Sequence, residues 1–198
     1  MGSKRLSVGL KATLAIFAVA VFVTGTAASQ EKVLLNFRHR GGSYSFAGLI
    51  FDASGNLYGT TTGGGAGRCD GDVGCGTVFE LTPTAGGGWT ETVLHSFNEN
   101  GTDGSTPDAG LALDASGNLY GTTEAGGANG ALSEGTVFEL TPATGGGWTE
   151  TVLHSFSKNG RGGYQLHCSP ILDGAGNLYG TTAYGGLKGD GTVFEIKH

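Results

Sequence analysis

Most residues able to do chemistry in this sequence are repeated. Asp52, Asp114 and Asp173 share one recurring position, and Glu80, Glu139 and Glu195 share another. Recurrent carboxylates invite a hard cation such as calcium, which takes several oxygen ligands. The Asp, however, opens the turns "DASGN" (52–56, 114–118) and "DGAGN" (173–177). An Asp oxygen can take backbone N–H groups two or three residues on, so a turn role explains it. The Glu alternates with Val and Phe, and either bonds a neighbouring unit's backbone or faces solvent. His95 and His154 recur in "LHSF", which suggests a metal ligand or a proton-transfer group. The N-terminal copy of that element has Leu35 there, so a ring of ligands would be broken. Packing beside Phe97 and Phe156 is the expectation.

Cys69 and Cys75 lie in "RCDGDVGCGT", one short Gly-rich loop. In an exported chain such a pair reads as a disulfide. A structural metal would need four ligands, and neither a CxxC pair nor a His cluster supplies them. Cys168 aligns with Ala47 and Ala109, each five residues before the turn Asp, and reads as a buried thiol. A nucleophilic role would need an oriented His. His167 is adjacent, but strand neighbours point to opposite faces. An intermolecular disulfide is the other option for this odd cysteine. The stretch "NENGTDGSTPD" (98–108) has oxygen-rich residues but not the register of a calcium loop. It reads as a loop, with calcium as an alternative. "GTTTGGGAGR" joins strand to strand, with no helix N-terminus to bind phosphate. The aromatics best able to stack on a sugar are Tyr58, Tyr120, Tyr179, Trp89 and Trp148; packing between units is the competing role.

The elements holding these residues are repeated too. "GNLYGTT" occurs at 55–61, 117–123 and 176–182; "GTVFE" at 76–80, 135–139 and 191–195; "GGGWTETVLHSF" at 86–97 and 145–156. A degenerate copy of the last, "VLLNF", stands at 33–37. Each unit of about 59 residues contains four strand candidates bounded by Gly, Asp, Asn and Pro. They are "GLIFD" or its copies, "NLYGTT", "TVFEL" and "TETVLHSF". In "NLYGTT" the Leu and Tyr must face opposite sides of the sheet. A four-stranded meander with two partly apolar faces has to stack on copies of itself, which is the logic of a β-propeller. The expected fold is all-β: a propeller-like array of three four-stranded antiparallel units, the last completed by the strand at 33–37. Propellers usually have 4–8 blades. Three units therefore suggest a homodimer completing a six-bladed ring, a fragment of a longer repeat protein, or a three-sheet array. The sequence favours the array and leaves association open.

Residues 1–29 carry Lys4, Arg5 and Lys11, then an apolar run from Ala12 to Val23, then small residues. This is the layout of a secretory signal peptide cut near residues 28–29. The run is short for a membrane span. Residues 30–198 then form a single repeat domain, secreted, periplasmic or at the cell surface. The formal charge of −6 becomes −9 once the three signal cations are removed. An acidic chain without a basic cluster is not expected to bind nucleic acid or anionic lipid. The 40 glycines are interleaved with patterned apolar runs and read as turn chemistry, not disorder.

The string "DASGNLYGTTTGGG…GCGTVFELTP…LHSF" resembles the GloVer tandem repeat of exported bacterial proteins with a choice of anchors. The resemblance covers residues 32–198. It implies secretion or surface display, a propeller-like β fold and no established catalytic activity. The chain ends at "GTVFEIKH" without an anchor segment, so attachment by that route is not expected. "GLALDASGNLYGTT" is also similar to the strand pair of NHL-type propeller blades.

The expected function is an exported non-catalytic module binding a glycan, surface polymer or protein, with no cofactor required. The alternative is a propeller-type lyase or hydrolase. That would need asymmetric polar groups, such as Arg68, Arg161 and His167, to converge in a pocket. A third reading is a purely structural fragment.

Overall fold

The computed structural model describes residues 29–69, 73–98, 100–129, 134–158 and 162–197. The chain divides into two compact units, Met1–Lys32 and Val33–His198. In the first, only residues 29–32 are described, and they form no regular element. The apolar run expected to be a signal peptide lies outside the described residues.

The described residues of the second unit are all-β. In chain order the strands are β1 (Ile50–Phe51), β2 (Leu57–Thr61), β3 (Thr77–Pro83), β4 (Trp89–Ser96), β5 (Gly104–Ser105), β6 (Ala112–Leu113) and β7 (Leu119–Thr123). They continue as β8 (Ala125–Gly126), β9 (Thr136–Pro142), β10 (Trp148–Ser155), β11 (Ile171–Leu172), β12 (Leu178–Thr182) and β13 (Thr192–Ile196). Three antiparallel meanders follow one another. The first is β1-β2-β3-β4, the second β6-β7-β9-β10 and the third β11-β12-β13. A small fourth sheet pairs β5 with β8.

Turn chemistry sets the register. Gly55 takes φ 86° and donates its N–H to the Asp52 carbonyl, while the Asp52 N–H donates to Asn56. Only a residue at ease with positive φ closes such a hairpin cheaply. The register then pairs Tyr58 with Glu80 and Gly59 with Phe79. The second unit repeats it as Tyr120 with Glu139 and Gly121 with Phe138. A Cβ on Gly121 would lie 2.3 Å from the Phe138 ring, so this glycine makes room for the aromatic.

Alternation places Leu and Tyr of "GNLYGTT" in different cores, as a period of two requires. Leu57, Phe79 and Leu81 form one cluster with Leu35 and Trp89 against it. Tyr58 and Val78, on the other face, pack with Leu111, Leu119, Phe138 and Leu140 of the second sheet. Tyr120 and Val137 then pack with Leu166 and Leu178, and with Phe194 and Ile196, of the third unit. The second sheet is thus the floor of one apolar layer and the ceiling of the next.

Two features differ from expectation. The third sheet has three strands, and residues 33–37 do not complete it. That segment forms no ladder and packs instead on the first sheet, where the Phe37 and Phe79 ring centroids are 5.1 Å apart. The reason is local: Phe37 occupies on Phe79 the place that Phe97 takes on Phe138. The other is a register shift in the fourth strands, where Val78 faces His95 but Phe79 faces Val93. The extra residue, Leu94 or Leu153, turns toward the following unit and joins its core.

Candidate functional site

The repeated carboxylates are engaged with their own unit. Asp52 Oδ1 accepts the Ser54 and Asn56 amides at 2.8 Å, and Oδ2 accepts the Asn56 side-chain amide at 2.8 Å. The Tyr58 hydroxyl is shared between Asp52 Oδ2 at 3.2 Å and Glu80 Oε1 at 3.0 Å. Tyr120 makes the same pair of contacts with Asp114 and Glu139, and Tyr179 with Asp173 and Glu195. Burial works to raise the Asp52 carboxyl, but the Asn56, Ser54 and Tyr58 hydrogen bonds outweigh it and leave it below its ordinary value. Burial, and then the Glu80 carboxylate, push the Tyr58 hydroxyl well above its ordinary value. The bond to Glu195 leads in raising half-buried Tyr179 to about 12. The recurring Glu therefore holds a tyrosine of its own unit.

This changes the standing of the aromatics. Tyr58 and Tyr120 are buried between sheets and offer no ring face to a sugar. Trp89 and Trp148 are half-buried against core clusters, and Trp148 meets Tyr58 edge-on with centroids 6.4 Å apart. Tyr179 is the more open of the tyrosines because its sheet is uncovered on that side. Cys69 and Cys75 are joined as a disulfide. Cys168 is a free, half-buried thiol whose Sγ accepts the Thr181 amide at 3.1 Å.

One cluster breaks the repeat. His95 packs edge-on against Phe97 with centroids 4.6 Å apart, and His154 does the same on Phe156. His95 has a further neighbour: its Nε2 lies 3.3 Å from Asp103 Oδ2, which also accepts the Asn98 backbone and side-chain amides at 3.0 Å. Glu150, from β10 of the second unit, completes the group, with one ligand atom from each residue within 4.8 Å of the others. Asp103 Oδ1 and Glu150 Oε1 are buried and have no hydrogen-bond partner among the described residues. Burial, then the Asp103 charge, push the Glu150 carboxyl up to about 7, against the opposing influence of His95. One imidazole and two carboxylates are donors a divalent cation accepts.

Among the described residues this set does not recur at the equivalent places, for a simple reason. Gly41 and Gly162 occupy the positions corresponding to Asp103, and Leu35 the one corresponding to His95. Sequence reasoning set His95 aside because Leu35 breaks the series. The legible signal was the single Asp among glycines at position 103. Within the 98–108 loop Asn100 Oδ1 accepts the Thr102 and Asp103 amides at 3.0 and 2.9 Å.

A second group joins Asp108, Glu124 and His167, with His167 Nδ1 2.5 Å from Asp108 Oδ2. Arg68 lies apart from it, lining a 410 Å³ cavity with Ala66, Gly67, Ser96 and Asn98. His167 does not line this cavity, and Arg161 lies outside the described residues.

Stacked meanders, self-satisfied turns and one or two asymmetric clusters define an all-β tandem-repeat protein. The chain belongs to the Gloeobacter/Verrucomicrobia repeat family, whose model matches residues 15–198. The family read from "DASGNLYGTT" and "GTVFELTP" is therefore confirmed over nearly the whole chain. A comparison with curated proteins finds no match.

Proposed function

We propose that this chain is an exported, non-catalytic repeat module of propeller type that binds a glycan, a surface polymer or a protein through its loops. The observation carrying this reading is where the repeated polar groups go. In every unit Asp, Asn, Tyr and Glu close on one another, so the shared residues hold sheets together. What differs between units lies in the connections: the stapled loop with Arg68, the 98–103 loop and the His167 segment. Loops on a rigid scaffold are where recognition usually resides. The disulfide supports an oxidising compartment, and the N-terminal pattern supports export.

The test uses intact secreted protein on a glycan array and as bait against cell-surface extracts. The expected result is saturable capture by one ligand class, weakened when the loops around Arg68 and Asn100 are exchanged for those of another unit. Blank results in both formats would overturn the reading. The mass of the secreted form would check cleavage near residues 28–29.

A further inference from the structure

Both internal junctions are built alike. At each, the Tyr and Val face of one sheet meets the Leu and Phe face of the next. A threonine hydroxyl crosses each: Thr60 Oγ1 donates to the Ala109 carbonyl at 2.9 Å, and Thr122 Oγ1 to the Cys168 carbonyl at 2.8 Å. A phenylalanine also crosses each, Phe97 onto Phe138 and Phe156 onto Phe194, both with centroids 5.1 Å apart.

Half of such a junction stands uncovered at each end of the array. On the third sheet, Val193 is 80% exposed and Ile171 67%, and Thr181, the counterpart of Thr60 and Thr122, is exposed. On the first sheet, Phe51 is 66% exposed and Leu49 46%, although Leu111, the counterpart of Leu49, is buried. A 340 Å³ groove between residues 33–37 and the first sheet lies at this end, and a 240 Å³ hollow beside Cys168 and Val193 at the other. The strand inventory is complementary as well. Among the described residues the third sheet has no fourth strand, while Val33–Phe37, with the spacing of Val93–Phe97, belongs to no ladder.

We infer that a second copy of this chain covers these faces head to tail. The Tyr179–Val193 face of one copy seats on the Leu49–Phe51 face of the next, and residues 33–36 of that next copy add as the fourth strand on β13. The register follows β10 on β9, where Phe138, Val137 and Thr136 face Val152, His154 and Ser155. Phe194 then faces Val33, Val193 faces Leu35 and Thr192 faces Asn36. Thr181 donates to the Ala47 carbonyl, continuing the threonine series. Phe37 needs no rearrangement, since it already sits on Phe79 as Phe97 sits on Phe138.

The choice of occupant follows from complementarity. Both half-junctions belong to this chain, they are of opposite type, and the missing strand exists on it as an unpaired segment. An apolar small molecule would fill the groove but leave the edge strand and residues 33–36 unpaired. Edge pairing of this kind supplies main-chain hydrogen bonds, with alternate side chains giving specificity. Two copies joined at both ends give six four-stranded sheets. The two-fold ring repeats one joint twice, and each joint pairs two different faces, so either face can be spoiled separately. The inference is independent of the proposed ligand: a chain that self-associates but captures nothing would leave it standing and overturn only the binding reading.

The experiment is native mass spectrometry and sedimentation velocity on the full chain, with two variants at exposed positions that the fold tolerates. Val193→Glu spoils the last face and Phe51→Glu the first. The expected results are a two-chain species for the wild type, folded monomers for each variant alone, and a two-chain species again when the variants are mixed. The free thiol gives a second readout: Cys168 should alkylate several-fold more slowly in the two-chain species than in either monomeric variant. A wild type that stays monomeric up to its solubility limit would overturn the inference. So would a dimer indifferent to both substitutions, a mixture that stays monomeric, or association with other repeat proteins but not with itself.

Discussion

β9 and β13 begin with the same residues, Thr-Val-Phe-Glu, and pair with the same "LYGTT" strand, yet they occupy different environments. Val137 is fully buried and Val193 is 80% exposed. The local fold is identical, because turn and register are written within the unit. Burial is not, because it depends on the sheet next door. In a stacked array stability therefore belongs to junctions as much as to units. The middle sheet has two neighbours and the last has one.

Substitutions at equivalent places should separate these contributions. Phe138→Ala removes a fully buried ring from the middle layer and should cost about 3–5 kcal/mol. Phe194→Ala, at a half-buried ring, should cost about half as much by the same scale. Urea unfolding at a concentration keeping the chain monomeric would check both; equal losses would show that the layers are not distinct.

The next effect concerns Glu150. Its carboxyl is raised from 4.5 to about 7 in the folded protein, so between those values the folded state holds a proton that the unfolded state has released. Stability from this group is therefore full below pH 4.5 and declines as pH rises to about 7. Allowing for its partial exposure, the decline should be about 1–2 kcal/mol. Glu150→Gln, which keeps the shape and cannot ionise, should flatten the decline and leave the variant more stable than wild type at pH 8. An unchanged pH profile of Tm would contradict the arrangement with Asp103 and His95.

Smaller still is the junction threonine. Thr122→Val deletes a part-buried bond to the Cys168 carbonyl and should cost about 1 kcal/mol. Thr181→Val, on the open face, should change stability by less than about 0.5 kcal/mol in dilute solution. The smallest effect is expected for Val193→Ala, within about 0.5 kcal/mol of wild type as a monomer. A larger loss would mean that this face is covered in the single chain.

Much of this was legible in the letters. Repetition fixes unit length, Gly55 and Gly117 mark the hairpins, and alternation sends Leu57 and Tyr58 to opposite faces. The Asp-to-amide turns were legible for the same local reason. What escaped depends on contacts between distant segments. The Tyr58–Glu80 bond needs the register of two strands. Residues 33–37 look like a fourth strand in composition, but a strand exists only with a partner, and among the described residues they join no ladder. The turned-out Leu94 and Leu153 come from a register shift that disturbs plain alternation in "TVLHSF". The His95–Asp103–Glu150 group draws on two units and a loop, so no local pattern announces it.

The central claim is that neighbouring sheets, not strand sequence, set the environment of each unit. Amide hydrogen exchange on β9 and β13 in dilute, monomeric protein tests it directly, because the shared Thr-Val-Phe-Glu gives the two strands closely matched intrinsic rates. The account predicts that β9 amides exchange only with global unfolding, while those of β13 exchange orders of magnitude faster by local opening. Equal protection of the two strands in the monomer would contradict it.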